Sequence, residues 1–282
     1  KYVLKDGYII AKSKGKLKGK VIKFPKISVG ATENSIIAAC LAKGTTILKN
    51  CAIEPEIKDL TNFLNSAGAK IIWNGRKCKI IGVDSLNKTN YSVMPDRIEA
   101  GTFCIAATIS KGNLEIVNFD PKIIKTELNL LKNFGAKIQI IEKKIFIEGP
   151  KNIKPIKNVK TKEYPGIPTD MQSQLMVLMC KANGQSSITE NIFENRFMHV
   201  AELRRLGAKI DIVKNKAIIE GNTKFIGAEL MSSDLRASVS LVLGAMVSKG
   251  ESRINRIYHL DRGYENIENK LKRIGVRIKR LK

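Results

Sequence analysis

The sequence predicts an α/β (α+β) protein built from repeated βαβαββ-type units, and three observations carry that expectation. A closing signature recurs at Ala67-Gly68-Ala69-Lys70-Ile71, Phe134-Gly135-Ala136-Lys137-Ile138, Leu206-Gly207-Ala208-Lys209-Ile210 and Ile274-Gly275-Val276-Arg277-Ile278. The copies lie roughly 70 residues apart, longer than a solenoid repeat, so each must be a small α/β unit of its own. Each copy also holds two helix-like stretches separated by a β-branched run, and each signature leads into a pair of β-rich segments around a turn.

The first helix of each unit begins beside a polar or acidic group. The starts are Thr32-Glu33-Asn34, Asp96-Arg97-Ile98-Glu99, Thr169-Asp170-Met171-Gln172 and Asp234-Leu235-Arg236, each running into an apolar stretch. Such residues cap a helix by accepting from its free first-turn amides. The helices are expected to stop at Gly44, Gly112, Gly184 and Gly250, before strands such as Thr45-Thr46-Ile47-Leu48 and Ser186-Ser187-Ile188-Thr189. A second, amphipathic helix follows, with Leu60, Phe63 and Leu64 in the first copy, and Leu128, Leu131 and Phe134 in the next. Val200, Leu203 and Leu206, then Ile267, Leu271 and Ile274, repeat the spacing. Hairpins are expected at Asn74-Gly75, Glu142-Lys143 and Lys214-Asn215, with the last copy running out inside its strand.

A domain boundary is expected at Tyr91–Pro95, where an Asn-rich turn region and a proline interrupt the pattern. Residues 1–94 then form an incomplete first domain of one full unit plus part of another, and residues 95–282 a second domain of three units. Lys1 enters in mid-pattern, as the end of an earlier unit would. The stretch from Pro150 to Pro168, rich in Lys, Asn and Pro, is expected to be an ordered connector.

Composition narrows the function. The chain has 282 residues, 43% of them hydrophobic, and a formal net charge of +24. That charge invites a nucleic-acid partner, but the basic residues are mostly lysines spread over hairpins and helix faces, so no nucleic-acid binding is expected. No apolar run is long enough for a membrane helix and the first residues do not resemble a secretory signal, so a cytoplasmic location without membrane attachment is expected. The five cysteines stand alone without CxxC spacing and read as reduced and buried. His199 and His259 lack the spacing of a metal pair and read as structural; no metal and no cofactor are expected. Helix N-termini recur in every unit, and their free amides and dipoles favour anionic ligands.

Read in register, the loops form an ordered series. Ser28-Val29-Gly30-Ala31-Thr32, Glu54-Pro55-Glu56-Ile57, Pro95-Asp96-Arg97-Ile98-Glu99 and Pro168-Thr169-Asp170-Met171-Gln172 are followed by Ile192-Phe193-Glu194-Asn195-Arg196-Phe197, Asp234-Leu235-Arg236-Ala237 and Asp261-Arg262-Gly263-Tyr264-Glu265. This series resembles the enolpyruvyl transferases, and its Phe-Glu-Asn-Arg and Asp-Arg-Gly-Tyr-Glu blocks resemble the sugar-nucleotide branch. The resemblance implies an inside-out α/β barrel with pseudo-threefold symmetry in each of two domains, and an active site between them. It implies transfer of the enolpyruvyl group of phosphoenolpyruvate to the 3-hydroxyl of UDP-N-acetylglucosamine, the step that commits this sugar to peptidoglycan. Alternatives are the shikimate-pathway enolpyruvyl transferase and a non-catalytic nucleotide-sugar or anion-binding module.

The resemblance also assigns roles. Asp170 would hold the sugar and act as base; from the residues alone the helix-cap reading is favoured, and only the resemblance reverses it. Arg262 would meet phosphoenolpyruvate, with Arg236 and Arg196 completing an anion clamp; isolated arginines otherwise form surface ion pairs, here with Glu194, Asp234 or Asp261. Lys26, Ile27, Ser28, Val29 and Gly30 resemble the diphosphate-binding stretch, and the backbone of Ile192 would touch the sugar nucleotide. Glu54, Glu56, Asp96 and Arg97 align with residues at the cleft and hinge. The family's early Lys-Asn pair and its reactive-loop Cys or Asp have no counterpart here, so the general acid is not mapped.

Overall fold

A computed structural model of the chain describes residues 2–281. It divides into two compact units, Lys1–Met94 and Pro95–Lys282, each taken by itself below.

The first unit opens on a hairpin of β1 (Tyr2–Lys5) and β2 (Tyr8–Ala11), turned at Asp6 and Gly7, both at positive φ. Every residue of the two strands is exposed, the apolar Leu4 and Ile9 included. A complete unit follows: β3 (Val21–Lys23), α1 (Val29–Cys40), β4 (Thr45–Lys49), α2 (Pro55–Ser66), β5 (Lys70–Asn74) and β6 (Lys77–Ile81). The sheet order is β3-β4-β6-β5, with β3 parallel to β4 and the other pairs antiparallel. Its inner face and the two helices enclose Ile36, Leu48, Ile57, Cys78 and Ile80.

Helix α1 starts earlier than the sequence pattern indicates. Ser28, not Thr32, is the cap, accepting from the Ala31 amide at 3.3 Å. Thr32 is buried instead; its hydroxyl donates to the Ser28 carbonyl at 2.7 Å and accepts from the Ala52 amide at 3.0 Å, tying the helix to the loop after β4. A hydroxyl one turn inside a helix can bond back to the chain, which local propensity alone does not separate from capping.

The second unit contains α3 (Arg97–Ser110), β7 (Asn113–Ile116), α4 (Lys125–Phe134), β8 (Lys137–Ile141) and β9 (Lys144–Glu148). Next come β10 (Val159–Lys160), α5 (Gln172–Cys180), β11 (Ser186–Thr189), α6 (Val200–Arg205), β12 (Ile210–Val213) and β13 (Lys216–Ile219). The chain ends with β14 (Glu229–Met231), α7 (Leu235–Met246), β15 (Arg253–Asn255), α8 (Tyr258–Asp261) and α9 (Ile267–Arg273). Helices α3, α5 and α7 pack on one another at the centre, and every residue of α5 is buried. A helix without a polar face belongs inside a protein, so the sheets lie outside, each against its own helix. Their orders are β7-β9-β8, β10-β11-β13-β12 and β14-β15, and none of these sheets closes on itself.

The order β10-β11-β13-β12 repeats that of the first unit's sheet, strand for strand. The connector from Pro150 to Pro168 thus does more than span a gap: it supplies the parallel edge strand β10 and buries Ile153 and Ile167. The expected turns appear at the expected places, with Gly75, Glu142 and Lys214 at positive φ, and Gly68, Gly135, Gly207 and Gly275 close the second helices with φ near 100°. One recurring device was not read from the sequence. Gly82 and Gly221 end equivalent hairpins over a helix terminus, where a Cβ would stand 1.6 Å and 2.0 Å from the carbonyl oxygens of Ala42 and Ala182.

The last copy differs from expectation. Residues 276–281 form no strand, and β15 is paired with β14 alone. A strand needs a hydrogen-bonded neighbouring strand, and this segment has none among the described residues; Arg280 turns instead to Asp261 and Glu268. All five cysteines are free and buried. Among the described residues no helix is long and apolar enough to cross a membrane.

Candidate active site

Asp170 lies in a 3-10 turn, Thr169–Met171, that feeds directly into α5. Every residue of the helix beyond it is buried, so that helix lies in the core and its entry is carried to the edge of that core. Asp170 does not cap α5: the cap positions of the turn and of the helix make no side-chain capping bond. One carboxylate oxygen accepts from Arg196 Nη2 and the other pairs with Arg236 Nη2, each at 2.8 Å. The side chains of Asp170, Arg196 and Arg236 are 36%, 25% and 19% exposed, so the cluster is open to a ligand on one side and packed on the other.

Each arginine is held by its own local structure. Arg236 sits in the first turn of α7, whose cap Asp234 accepts from the amides of Arg236 and Ala237 at 2.8 and 3.0 Å. The Arg236 carbonyl accepts from the Ser173 hydroxyl of α5 at 2.9 Å, which locks the two helix starts together. Arg196 belongs to the loop after β11, with its guanidinium 5.0 Å from the centroid of the Phe193 ring. The imidazole of His199, buried at the start of α6, lies beside Arg196 and Asp234. Burial drives its pKa down to about 4, so it stands there neutral.

A buried polar network backs the cluster. The Tyr264 hydroxyl is 2.8 Å from that of Thr102 on α3, and Gln174 Nε2 donates to Thr102 Oγ1 at 3.2 Å and to the Asp170 carbonyl at 2.9 Å. Gln174 and Tyr264 were not singled out from the sequence. The available signal was Gln172-Ser173-Gln174 itself, polar side chains on a helix that is otherwise apolar and buried throughout.

Charge sets the state of the carboxyl. Burial pushes the pKa of Asp170 up, but the Arg236 hydrogen bond and the charges of Arg236, Arg196 and Arg97 outweigh it and hold the group below the usual carboxylate range. For Arg236, burial works against the charged form, and the bond and charge of Asp170 more than restore it. Two guanidiniums share one carboxylate here, and a ligand phosphate or carboxylate could compete for the same donors.

The other sequence-derived residues fall elsewhere. Arg262 follows α8, is exposed, and its side chain makes no hydrogen bond or ion pair among the described residues. Asp261 is taken by Arg280 at 2.6 Å. The block around Arg262 is nevertheless anchored near the start of α7, for a Cβ on Gly263 would lie 2.6 Å from a methyl of Leu235. Ile192 is half-buried in the turn that leads to Arg196, its amide held by Glu190. Asp96 is a helix cap, accepting from Ile98 and Glu99 at 2.7 and 3.3 Å. Arg97 is buried, 3.7 Å from Glu127, with the Tyr164 ring 5.7 Å from its guanidinium. Lys26 to Gly30 lie in the first unit, where they enter α1, with Lys26, Ser28 and Gly30 exposed; Glu54 and Glu56 stand at the start of α2 in that unit.

Comparison with known proteins agrees with the loop series. The sequence model of the EPSP synthase (3-phosphoshikimate 1-carboxyvinyltransferase) family matches residues 3–271. The UDP-N-acetylglucosamine 1-carboxyvinyltransferase of Pelagibacter ubique is 62% identical over the whole chain, which covers 67% of that relative. The enzyme of the same name from Pseudoalteromonas atlantica is 50% identical over 98% of the chain and 66% of its own length. The chain thus spans about two thirds of these relatives. Among solved structures, the enolpyruvyl transferase NikO from Streptomyces tendae superposes with a TM-score of 0.87 at 21% identity, covering 99% of this chain and 69% of that one. EPSP synthase from Acinetobacter baumannii gives 0.75 at 21% identity, over 94% and 64% of the two chains. At such identities the superpositions bear on the fold, and the sequence relatives on the branch. The chain belongs to the enolpyruvyl transferase family, on the branch of its UDP-N-acetylglucosamine 1-carboxyvinyltransferase relatives.

Proposed function

We propose that this chain carries the part of a UDP-N-acetylglucosamine 1-carboxyvinyltransferase that binds the sugar nucleotide and takes the proton from its 3-hydroxyl. The enolpyruvyl group of phosphoenolpyruvate is added there and phosphate is then eliminated. The observation that carries the reading is the half-buried Asp170 carboxylate held between Arg196 and Arg236 at 2.8 Å each.

The same geometry supplies a mechanism for switching the base on. While both guanidiniums face Asp170, the carboxylate is a poor proton acceptor. An arriving anion that takes their hydrogen bonds removes the charges that depress the pKa, and burial, which pushes it up, then prevails. Asp170 becomes basic only once the anionic substrate is in place, beside the hydroxyl it is to deprotonate. The arginines meanwhile neutralise charge as it develops on the reacting group. Arg262 is assigned to phosphoenolpyruvate, Ile192 to the sugar nucleotide through its backbone, and Lys26 to Gly30 to the diphosphate. In domain terms, residues 1–94 belong to the N-terminal domain and residues 95–282 are the C-terminal domain with its three units. Both substrates are charged metabolites kept inside the cell, so the proposal carries a cytoplasmic location with it.

Protonation of the enolpyruvyl carbon is not assigned to this chain's cysteines. All are buried, and burial pushes the thiols of Cys104 and Cys180 up to about 12. Calorimetry tests the proposal. UDP-N-acetylglucosamine binds the 282-residue chain, and Asp170→Asn weakens binding at least about tenfold, the worth of one charged hydrogen bond. A folded protein that shows no heat at millimolar ligand removes the reading.

A further inference from the structure

We infer that Glu190 is a positioning residue that sets the separation of Asp170 and Arg196, its buried carboxylate clasping the turn before Arg196 at one end and the residue before Asp170 at the other. Glu190 follows β11 and is 3% exposed. Its Oε1 accepts from the amides of Ile192 and Phe193 at 2.8 and 3.1 Å and from the Thr161 hydroxyl at 2.9 Å. Its Oε2 accepts from the Thr169 hydroxyl at 2.9 Å.

The residue is anchored from behind as well. Its amide donates to the Asn215 carbonyl at 2.8 Å, and its carbonyl accepts from Asn215 Nδ2 at 3.0 Å. A fixed backbone and a carboxylate with a partner on each oxygen leave the side chain no freedom to follow either arm of the site. The arms must therefore follow it. A negative charge close to an anion clamp opposes the ligand the clamp receives, and burying it is costly unless its bonds are needed. Geometry is the compensating gain: without Glu190 the amides of Ile192 and Phe193 lose their acceptor, and the turn that aims Arg196 at Asp170 is released. Aspartate, one methylene shorter, reaches one arm or the other but not both.

The inference deepens the reading of Asp170 and Arg196 as one substrate site, yet its test needs no substrate. The carboxyl of Asp170 is titrated by carbon-13 NMR in the full chain, where Arg196, Arg236 and Arg97 are the charges that face it. In Glu190→Ala the midpoint rises by about 0.5 pH unit or more as Arg196 moves away. Loss of the Glu190 charge alone would move it the other way, so the sign separates geometry from electrostatics. Glu190→Gln keeps an acceptor for the two amides and can donate to the Thr169 hydroxyl, so its midpoint stays put or falls. Thr169→Val cuts only the Oε2 link and gives a smaller rise; it also serves if Glu190→Ala does not fold. A midpoint that is unchanged or lower in both Glu190→Ala and Thr169→Val, whatever happens to the melting temperature, overturns the inference. Failure of the sugar nucleotide to bind would remove the proposed function and leave this titration to stand or fall by itself.

Discussion

Asp170 and Asp234 introduce equivalent helices in successive copies of the repeat, and they do opposite things. Asp234 turns back on its own helix, accepting the amides of Arg236 and Ala237. Asp170 leaves α5 uncapped and reaches outward to Arg196 and Arg236. Both carboxyls are held below their ordinary range against the opposing effect of burial, Asp234 chiefly by backbone amides and Asp170 by guanidiniums. Backbone amides cannot leave, whereas guanidiniums can be claimed by a ligand. The same residue type at the start of equivalent helices, Asp234 in the cap position and Asp170 two residues beyond it, is thus structural in one copy and available for chemistry in the other.

Arg236→Ala should break the contrast most severely. It removes the more buried of the two guanidiniums and leaves Asp170 with one close partner; the expected result in calorimetry is sugar-nucleotide binding weakened about 100-fold, or about 2.7 kcal/mol. An affinity within about twofold of the parent would mean the clamp is not where the ligand sits. Asp234→Ala should instead cost about 1 kcal/mol of folding stability, read by urea unfolding, while changing affinity far less than Arg236→Ala does. Its pH signature follows from the depressed pKa. Stability from this carboxylate is fully present above the unfolded value of about 3.9 and is lost as pH falls through the folded one, so the variant should show a flatter acid limb than the parent. The smallest effect on stability belongs to Arg262→Ala, within about 0.5 kcal/mol, because among the described residues its exposed side chain has no partner to lose. Phosphoenolpyruvate binding should nevertheless suffer. If it does not, Arg262 is a surface residue like any other.

Much of the fold was legible because its signals are local. A glycine at positive φ closes each second helix, and the turns at Gly75, Glu142 and Lys214 need only their own residues. Helix starts were less secure: Thr32 and Ser28 are both plausible caps by type, and the choice was made by the Ala52 amide, which arrives from beyond β4. The strand expected at the end of the last copy did not form, since strand pairing depends on a neighbour that local sequence does not contain. At the site, Asp170 and two of the arginines were visible as candidates, whereas Glu190, Gln174 and Tyr264 were not. Their roles consist entirely of bonds to other elements.

By itself the sequence determined the repeat, the type and order of its elements, and the family, because periodicity, turn chemistry and loop motifs act over a few residues at a time. Tertiary structure alone decided that Asp170 faces two arginines rather than its own helix, that Arg262 stays outside that pair, and that Glu190 ties the two arms together. Capping competes with ion pairing for the same carboxylate, and the winner is set by how closely packing brings α5, α7 and the loop after β11 to one another. No local pattern encodes that distance.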